Sequence, residues 1–266
     1  MEEIDQSLAR AVLARTLKQG LRFPTPRTLQ AFSCETGRRA LRQSVKVLEG
    51  ESGGPLAEAV EGLCHAKDVA PSSLERAYES LFGHALRGRV CPYETEYGAA
   101  APFQQSQELA DIAGFYLAFG LEATQAGGER LDHAACELEF LEFLSMKEAW
   151  ATEQGDAEML EVTRKAARDF VRGHLGRFGV AFGSSLQRED PGGFYGRLGA
   201  LCAAFLRAEC VRQGIATGPE FLDLRPAEDD GVPMACGDGS GDDQEEAEPQ
   251  LLGIRSRREG DGGSGP

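Results

Sequence analysis

Histidine is scarce in this chain, four residues in 266, and tryptophan occurs once. None of His65, His84, His133 and His174 forms a His-x-x-x-His or His-Glu-x-x-His pair, so the usual helical metal site is excluded. The chain also has no Gly-x-Ser-x-Gly elbow, phosphate-cradling glycine loop or strand-linked dinucleotide fingerprint, which removes the commonest hydrolase, nucleotidase and dehydrogenase signatures. Its seven cysteines (Cys34, Cys64, Cys91, Cys136, Cys202, Cys210, Cys236) are scattered, without a Cys-x-x-Cys pair. They read as reduced, buried small hydrophobes and not as a zinc ribbon or a dithiol redox centre. No uncharged apolar run reaches the roughly 18 residues of a membrane span, and the first 30 residues lack the unbroken apolar core of a secretory signal. The expected location is the cytoplasm. Cations are outnumbered as well: 28 Lys and Arg face 43 Asp and Glu, a formal charge of −15 that repels a phosphate backbone and excludes nonspecific nucleic-acid binding.

What remains is composition enough for a folded body, with 41% hydrophobic and 27% charged residues. The charge is uneven. From Ala227 to Gln250 nine acids occur with no Lys or Arg, and the last 41 residues carry −8 against −7 for the first 225. The same stretch is rich in glycine and poor in apolar side chains, so it cannot offset the entropy of ordering. The expected organisation is a single domain over residues 1–225 and a disordered acidic tail over 226–266.

Helical periodicity dominates and strand alternation is hard to find. Leu8, Val12, Leu13, Leu17 and Leu21 make one stripe of a helix that Pro24 and Pro26 end near Phe23, the second proline suiting the first turn of another helix near Thr25. Further helices are predicted near 37–49, 55–66 and 72–84, the last with Ser72 and Glu75 at capping-box spacing. A loop to about Pro102 follows. Leu109, Ile112, Tyr116 and Phe119 mark a helix over 104–121, and the Gly127-Gly128 pair marks a turn. Asp132 is placed to cap a helix from His133 to about Thr152, with Leu138, Leu141 and Leu144 on one face and Phe140, Phe143 and Trp150 widening it. Asp156 to Leu175 reads as another helix, with Met159, Val162, Ala166 and Phe170 inward. Gly176, Gly179 and Gly183 then break or loosen a short segment, and Gly192-Gly193 opens a last helix carrying Phe194, Leu198, Leu201 and Phe205. The fold class is all-α, a single bundle of roughly ten helices and helical turns.

Candidate chemistry is thin. Glu139 and Glu142 share a helix face while Glu137 points away, a pattern of solvated or salt-bridged carboxylates. Asp132 is either a helix cap alone or a cap with a binding duty. A cationic His133 in the first turn is disfavoured by the helix dipole, so a neutral ring is expected. Tyr93, Tyr97 and Phe103, in one loop, are either core plugs or contact residues.

Taken in order, several segments resemble the TorD-type chaperones that mature molybdoenzymes of the dimethyl-sulfoxide-reductase family. They are Arg22-Phe23-Pro24-Thr25-Pro26, Tyr78-Glu79-Ser80-Leu81-Phe82, Pro92-Tyr93-Glu94-Thr95-Glu96-Tyr97, Leu131-Asp132-His133 with Glu137-Leu138-Glu139-Phe140-Leu141 after it, and Phe194-Tyr195 with its helix through Glu209. The run from Phe103 to Tyr116 is most similar to the branch serving type II enzymes of that family. The resemblance implies an all-helical cytoplasmic protein without cofactor or catalysis. It implies binding of the apo catalytic subunit, often through its twin-arginine signal peptide, until molybdopterin is inserted. It places client binding at Tyr78, Leu81 and Phe82 and at Asp132 and His133, with Tyr93, Glu94 and Tyr97 from the intervening loop. Monomer and homodimer both remain open. A small helical hydrolase using Asp132 and His133, or a structural subunit of a redox complex, is the alternative.

Overall fold

A computed structural model of the chain describes residues 1–25, 28, 32, 34–50, 52–65, 70–83, 88–99, 103–123, 129–226 and 254–256. Nine α-helices occur among them: α1 (Glu2–Leu21), α2 (Glu35–Glu49), α3 (Pro55–Cys64), α4 (Pro71–Phe82), α5 (Gln104–Ala118), α6 (Ala134–Gln154), α7 (Ala157–Gly173), α8 (Leu175–Glu189) and α9 (Phe194–Gln213). A 3-10 turn covers Glu94–Glu96. The all-α expectation holds.

Helix α1 carries three acids in its first turn and Lys18 in its last, complementing the helix dipole, and ends where Arg22 turns extended ahead of Pro24. It lies along α6, as α8 lies along α9, and these two pairs form the frame. Helices α2 and α3 close one side against α1 and α9, and α7 covers α6 and α8. Leu13, Leu17, Leu138, Phe140, Leu141, Leu144, Phe170 and Leu201 are fully enclosed at the seam. The rings of Phe140 and Phe170 meet edge to face at 4.8 Å.

Several expectations shift. Leu8 is 38% exposed, and the buried face of α1 is turned from the expected stripe to run through Ser7, Arg10, Ala14, Leu17 and Leu21. In α7 the buried positions are Thr163, Ala167, Phe170 and Val171, one residue round from the expected face, and Val162 is out in solvent. Helix α4 starts at Pro71, with Ala70 as a cap that offers no side chain, so the Ser72–Glu75 box does not form. The fixed φ of proline already begins the turn one residue earlier. Between Asp156 and Glu189 the chain is two helices separated at His174, and the second, expected to be loosened by its glycines, is regular. A side chain on Gly183 would strike the Gly199 carbonyl, one on Gly199 would strike the Gly183 carbonyl, and one on Gly179 would strike Leu206. These glycines bring the two helix backbones together and do not break either. The helix expected from Thr25 lies mostly outside the described residues, but Thr25 and Thr28 exchange hydrogen bonds of capping type.

Among the described residues the strand pairing, isolated bridges aside, is one short ribbon, Leu121–Ala123 (β1) antiparallel to Ile254–Ser256 (β2), with Glu122 opposite Arg255. Strands of three residues are too short to show alternation in a sequence. The disordered tail expected after residue 225 otherwise lies outside the described residues.

Candidate functional site

Four of the eight expected site residues, Tyr93, Glu94, Asp132 and His133, meet where the Pro92–Gly98 turn joins the residues that lead into α6; Tyr78 and Phe82 on α4 pack on Tyr195, and Tyr97 packs on Phe178. Tyr93 and His133 face each other as an antiparallel bridge. The Glu94 amide donates to the Asp132 carbonyl (2.9 Å) and the Ala134 amide to the Pro92 carbonyl (2.8 Å). This short ladder fixes the turn to the start of α6.

Asp132 does not cap α6. It lies one residue too early, and its carboxylate turns into the loop, where it accepts from the Thr95 amide (3.2 Å), the Thr95 hydroxyl (2.8 Å) and two nitrogens of Arg130 (3.0 and 2.9 Å). A forked, charge-assisted partner outweighs a cap. The cap is His133, whose Nδ1 accepts from the Ala135 amide at 3.0 Å. That role requires a neutral ring, as expected from sequence. Burial, helped by Arg22 and Arg130 nearby, pushes its pKa down to about 3.

Arg130 ties the region together. It also donates to Glu96 (3.1 Å) and the Thr95 hydroxyl (2.8 Å), and its guanidinium lies 4.7 Å from the centroid of the Tyr93 ring. Behind it, Glu94 accepts from Arg177 at 2.7 Å and pairs with His174 Nδ1 at 3.0 Å, while the other ring nitrogen of His174 reaches Asp111 at 3.2 Å.

Of the neighbouring carboxylates, Glu139 and Glu142 behave as read: Glu139 pairs with Lys18 and Arg22, and Glu142 with Arg15 and Lys18. Glu137 does not. It is fully enclosed, with no cation paired to it among the described residues and the Glu94 carboxyl beside it. Burial, then the charges of Glu94 and Asp132, hold its carboxyl well above the ordinary range.

Six of the eight candidates are interior. Glu94, Asp132 and His133 have essentially no exposed surface, and Leu81, Phe82 and Tyr97 are buried. The Tyr97 hydroxyl donates to the Cys91 carbonyl at 2.7 Å, making this ring a core plug, whereas Phe103 is 82% exposed. Tyr78 and Tyr93 alone reach the surface. Tyr78 packs edge-on against Phe23 (5.3 Å between centroids) and tilted against Phe82 (4.7 Å), and the Tyr93 hydroxyl donates to Glu129 at 3.2 Å. Burial and Glu129 push the Tyr78 phenol up to about 12, so it stays a neutral donor. Phe23, 51% exposed, extends the patch. Its signal in the sequence was an aromatic residue stranded between a helix end and a proline.

Sequence reasoning also missed a second buried polar group. Arg10 is enclosed and donates to Glu148 and to Glu209, each at 2.9 Å. Although burial raises the Glu209 pKa, Arg10 and Arg212 bring it down to about 2.

No three His, Cys, Asp or Glu side chains among the described residues gather as a metal site, and no described helix is long and apolar enough to cross a membrane. The arrangement offers aromatic faces framed by charge, set on a heavily cross-linked support.

Residues 50–183 match the family described as nitrate reductase delta subunit. The chain is similar to the perchlorate reductase assembly chaperone protein of Dechloromonas aromatica (strain RCB), 29% identical over 184 residues that cover 66% of this chain and 76% of the other. It is also similar to the selenate reductase assembly chaperone protein of Thauera selenatis, 33% identical over 107 residues covering 40% of this chain and 53% of that one.

Proposed function

Because the chain belongs to the nitrate reductase delta subunit family, and its relatives are redox-enzyme assembly chaperones and not catalysts, we propose that it is a system-specific chaperone of one molybdoenzyme. In this reading it binds the apo catalytic subunit of a type II enzyme of the dimethyl-sulfoxide-reductase family, in the cytoplasm, and holds it while molybdopterin is inserted. A twin-arginine signal peptide on the client, where present, is part of what is held. The chaperone unit is residues 1–225 and the acidic remainder is an appendage.

The observation that carries this is the division of labour at the site. Tyr78 and Tyr93 are half-buried and Phe23 is half exposed, so part of each ring reaches the surface while the polar groups around them are consumed in holding those rings in place. Asp132 and His133 are enclosed and bonded, which leaves a hydrolase no open nucleophile or base. Aromatic faces with a polar edge are what contact surfaces use. A chaperone must also release its client, which favours micromolar affinity, about −8 kcal/mol.

The test is capture of the apo catalytic subunit by the purified chain. Tyr78→Ala/Tyr93→Ala is expected to weaken capture by about tenfold or more, in line with loss of interface aromatics, with the circular dichroism unchanged. Undiminished capture by a folded double variant refutes the assignment of the surface. Normal molybdopterin content in the client from cells lacking the chain refutes the function.

A further inference from the structure

After α9 the chain turns back across the molecule. The Ile215 amide donates to Cys210, and the Gly218 amide donates to the Gly176 carbonyl at 3.0 Å, in a crossing so close that a side chain at 218 would strike the Gly176 and Arg177 carbonyls. Phe221 lies under the Arg188 guanidinium at 4.5 Å. The next residues then add to the Pro92–Gly98 turn as an extended strand. Leu224 bridges Tyr97, the Gly98 amide donates to the Asp223 carbonyl (3.0 Å), and the Arg225 amide donates to the Glu96 carbonyl (2.7 Å). The strand ends in a buried guanidinium: Arg225 is 5% exposed, and it donates through Nε to the Tyr97 carbonyl (3.0 Å) and through a terminal nitrogen to Glu108 (2.7 Å).

Two features set this strap apart from ordinary core. Phe221 and Leu224 face outward, at 68% and 38% exposure, and Leu222 alone of its apolar side chains packs against the core. Beyond that one contact it is held by main-chain hydrogen bonds, which any sequence makes, and by one guanidinium, which only arginine supplies. That guanidinium holds a carbonyl and a carboxylate at once, through two nitrogens of one rigid fork, a geometry that an ammonium does not reproduce. The slot is also acidic. Among the described residues, the carboxylates of Glu94, Glu96, Glu108, Asp111 and Asp132 gather here around Arg130, Arg177 and Arg225, with His174 between Glu94 and Asp111.

We propose that this slot, between the Glu94–Gly98 turn and Glu108, is a docking site for an extended client segment carrying an arginine next to an apolar residue. The chain's own Phe221–Arg225 strap fills it in cis until such a segment displaces it. This rests on the chaperone reading above and names a contact of that client. Recognition is by strand addition, with main-chain bonds giving affinity and the buried arginine giving selectivity. Tethering supplies the strap at an effective concentration in the millimolar range, so it yields to a client segment that gains further contacts elsewhere.

The probe is an end-capped peptide of the strap, Gly218–Pro226, followed by fluorescence anisotropy. Full-length Arg225→Ala is expected to bind it at least tenfold more tightly than the unaltered chain, and a peptide with alanine in place of its arginine is expected to lose that gain. Equal binding by both chains, or indifference to the peptide's arginine, overturns the proposal. Should Arg225→Ala fail to fold, hydrogen exchange on the unaltered chain decides. Excess peptide, or captured apo catalytic subunit, is expected to speed exchange at the Arg225 amide while the Gly98 amide, with a new carbonyl partner, stays slow. A captured client that leaves both amides unchanged overturns the slot and leaves the chaperone reading standing. Failure to capture any client overturns that reading, and the peptide result then decides the slot by itself.

Discussion

Two enclosed titratable side chains at the start of α6 bias stability in opposite directions. His133 has a folded pKa near 3 against about 6.5 in an unfolded chain. Unfolding therefore takes up a proton below about pH 6.5, and stability falls as pH drops from there toward 3. Glu137 has a folded pKa well above its ordinary value, so unfolding releases a proton once the pH passes the unfolded carboxylate value, and stability falls as pH rises. Glu137→Gln, which keeps the shape and cannot ionise, is expected to flatten the decline in urea midpoint between pH 5 and pH 8 while leaving the acid limb in place. An unchanged alkaline slope would mean that Glu137 is already ionised in the native state. The sequence could not distinguish Glu137 from Glu139 and Glu142 by type. What separates them is that Glu137 falls beneath the Pro92–Gly98 turn, a neighbour 40 residues away in the chain, whereas the other two meet the cations of α1.

Among the helices, those with a clean apolar stripe and a recognisable stop were legible: α1, α2, α3, α5, α6 and α9 fall close to where periodicity and glycine or proline put them. The misreading of α8 is informative because glycine carries two opposite messages. On its own it loosens a helix, yet facing another glycine it lets two helices touch. Gly183→Ala places a methyl group against the Gly199 carbonyl, and such overpacking is expected to cost about 1–3 kcal/mol. In α5, a side chain at Gly114 meets open space, so Gly114→Ala is expected to stabilise by about 0.5–1 kcal/mol through backbone entropy alone. Thermal unfolding of the two variants checks both, and a neutral Gly183→Ala would show that α8 and α9 can separate without loss. The site was legible as a set of segments and illegible as a surface. Order along the chain pointed to Tyr78, Tyr93, Asp132 and His133, but only packing decides that the tyrosines face outward and the Asp–His pair faces in.

For the molecule as a whole, charge is the main lever. The last 41 residues carry about half of the formal −15, and they follow directly on the arginine that closes the strap slot. An acidic stretch beside a site for a cationic segment competes for that segment at low ionic strength and loses its influence as salt screens it. Deleting residues 226–266 is expected to tighten client capture at about 10 mM salt, where the Debye length is roughly 30 Å, and to change little at 1 M, where it is roughly 3 Å. Equal affinity of both forms at low salt would remove the tail from the binding process.

Arg130 rests one flat face on Tyr93 while its edge is spent on Asp132, Thr95 and Glu96. The outward ring is consequently locked through a single guanidinium to both the turn that bears it and the first residues of α6. Rotational freedom that a loose surface tyrosine would forfeit at the moment of contact has here already been given up during folding. A partner arriving at this ring meets a rigid plate, and what it gains from the stacking is retained in the affinity.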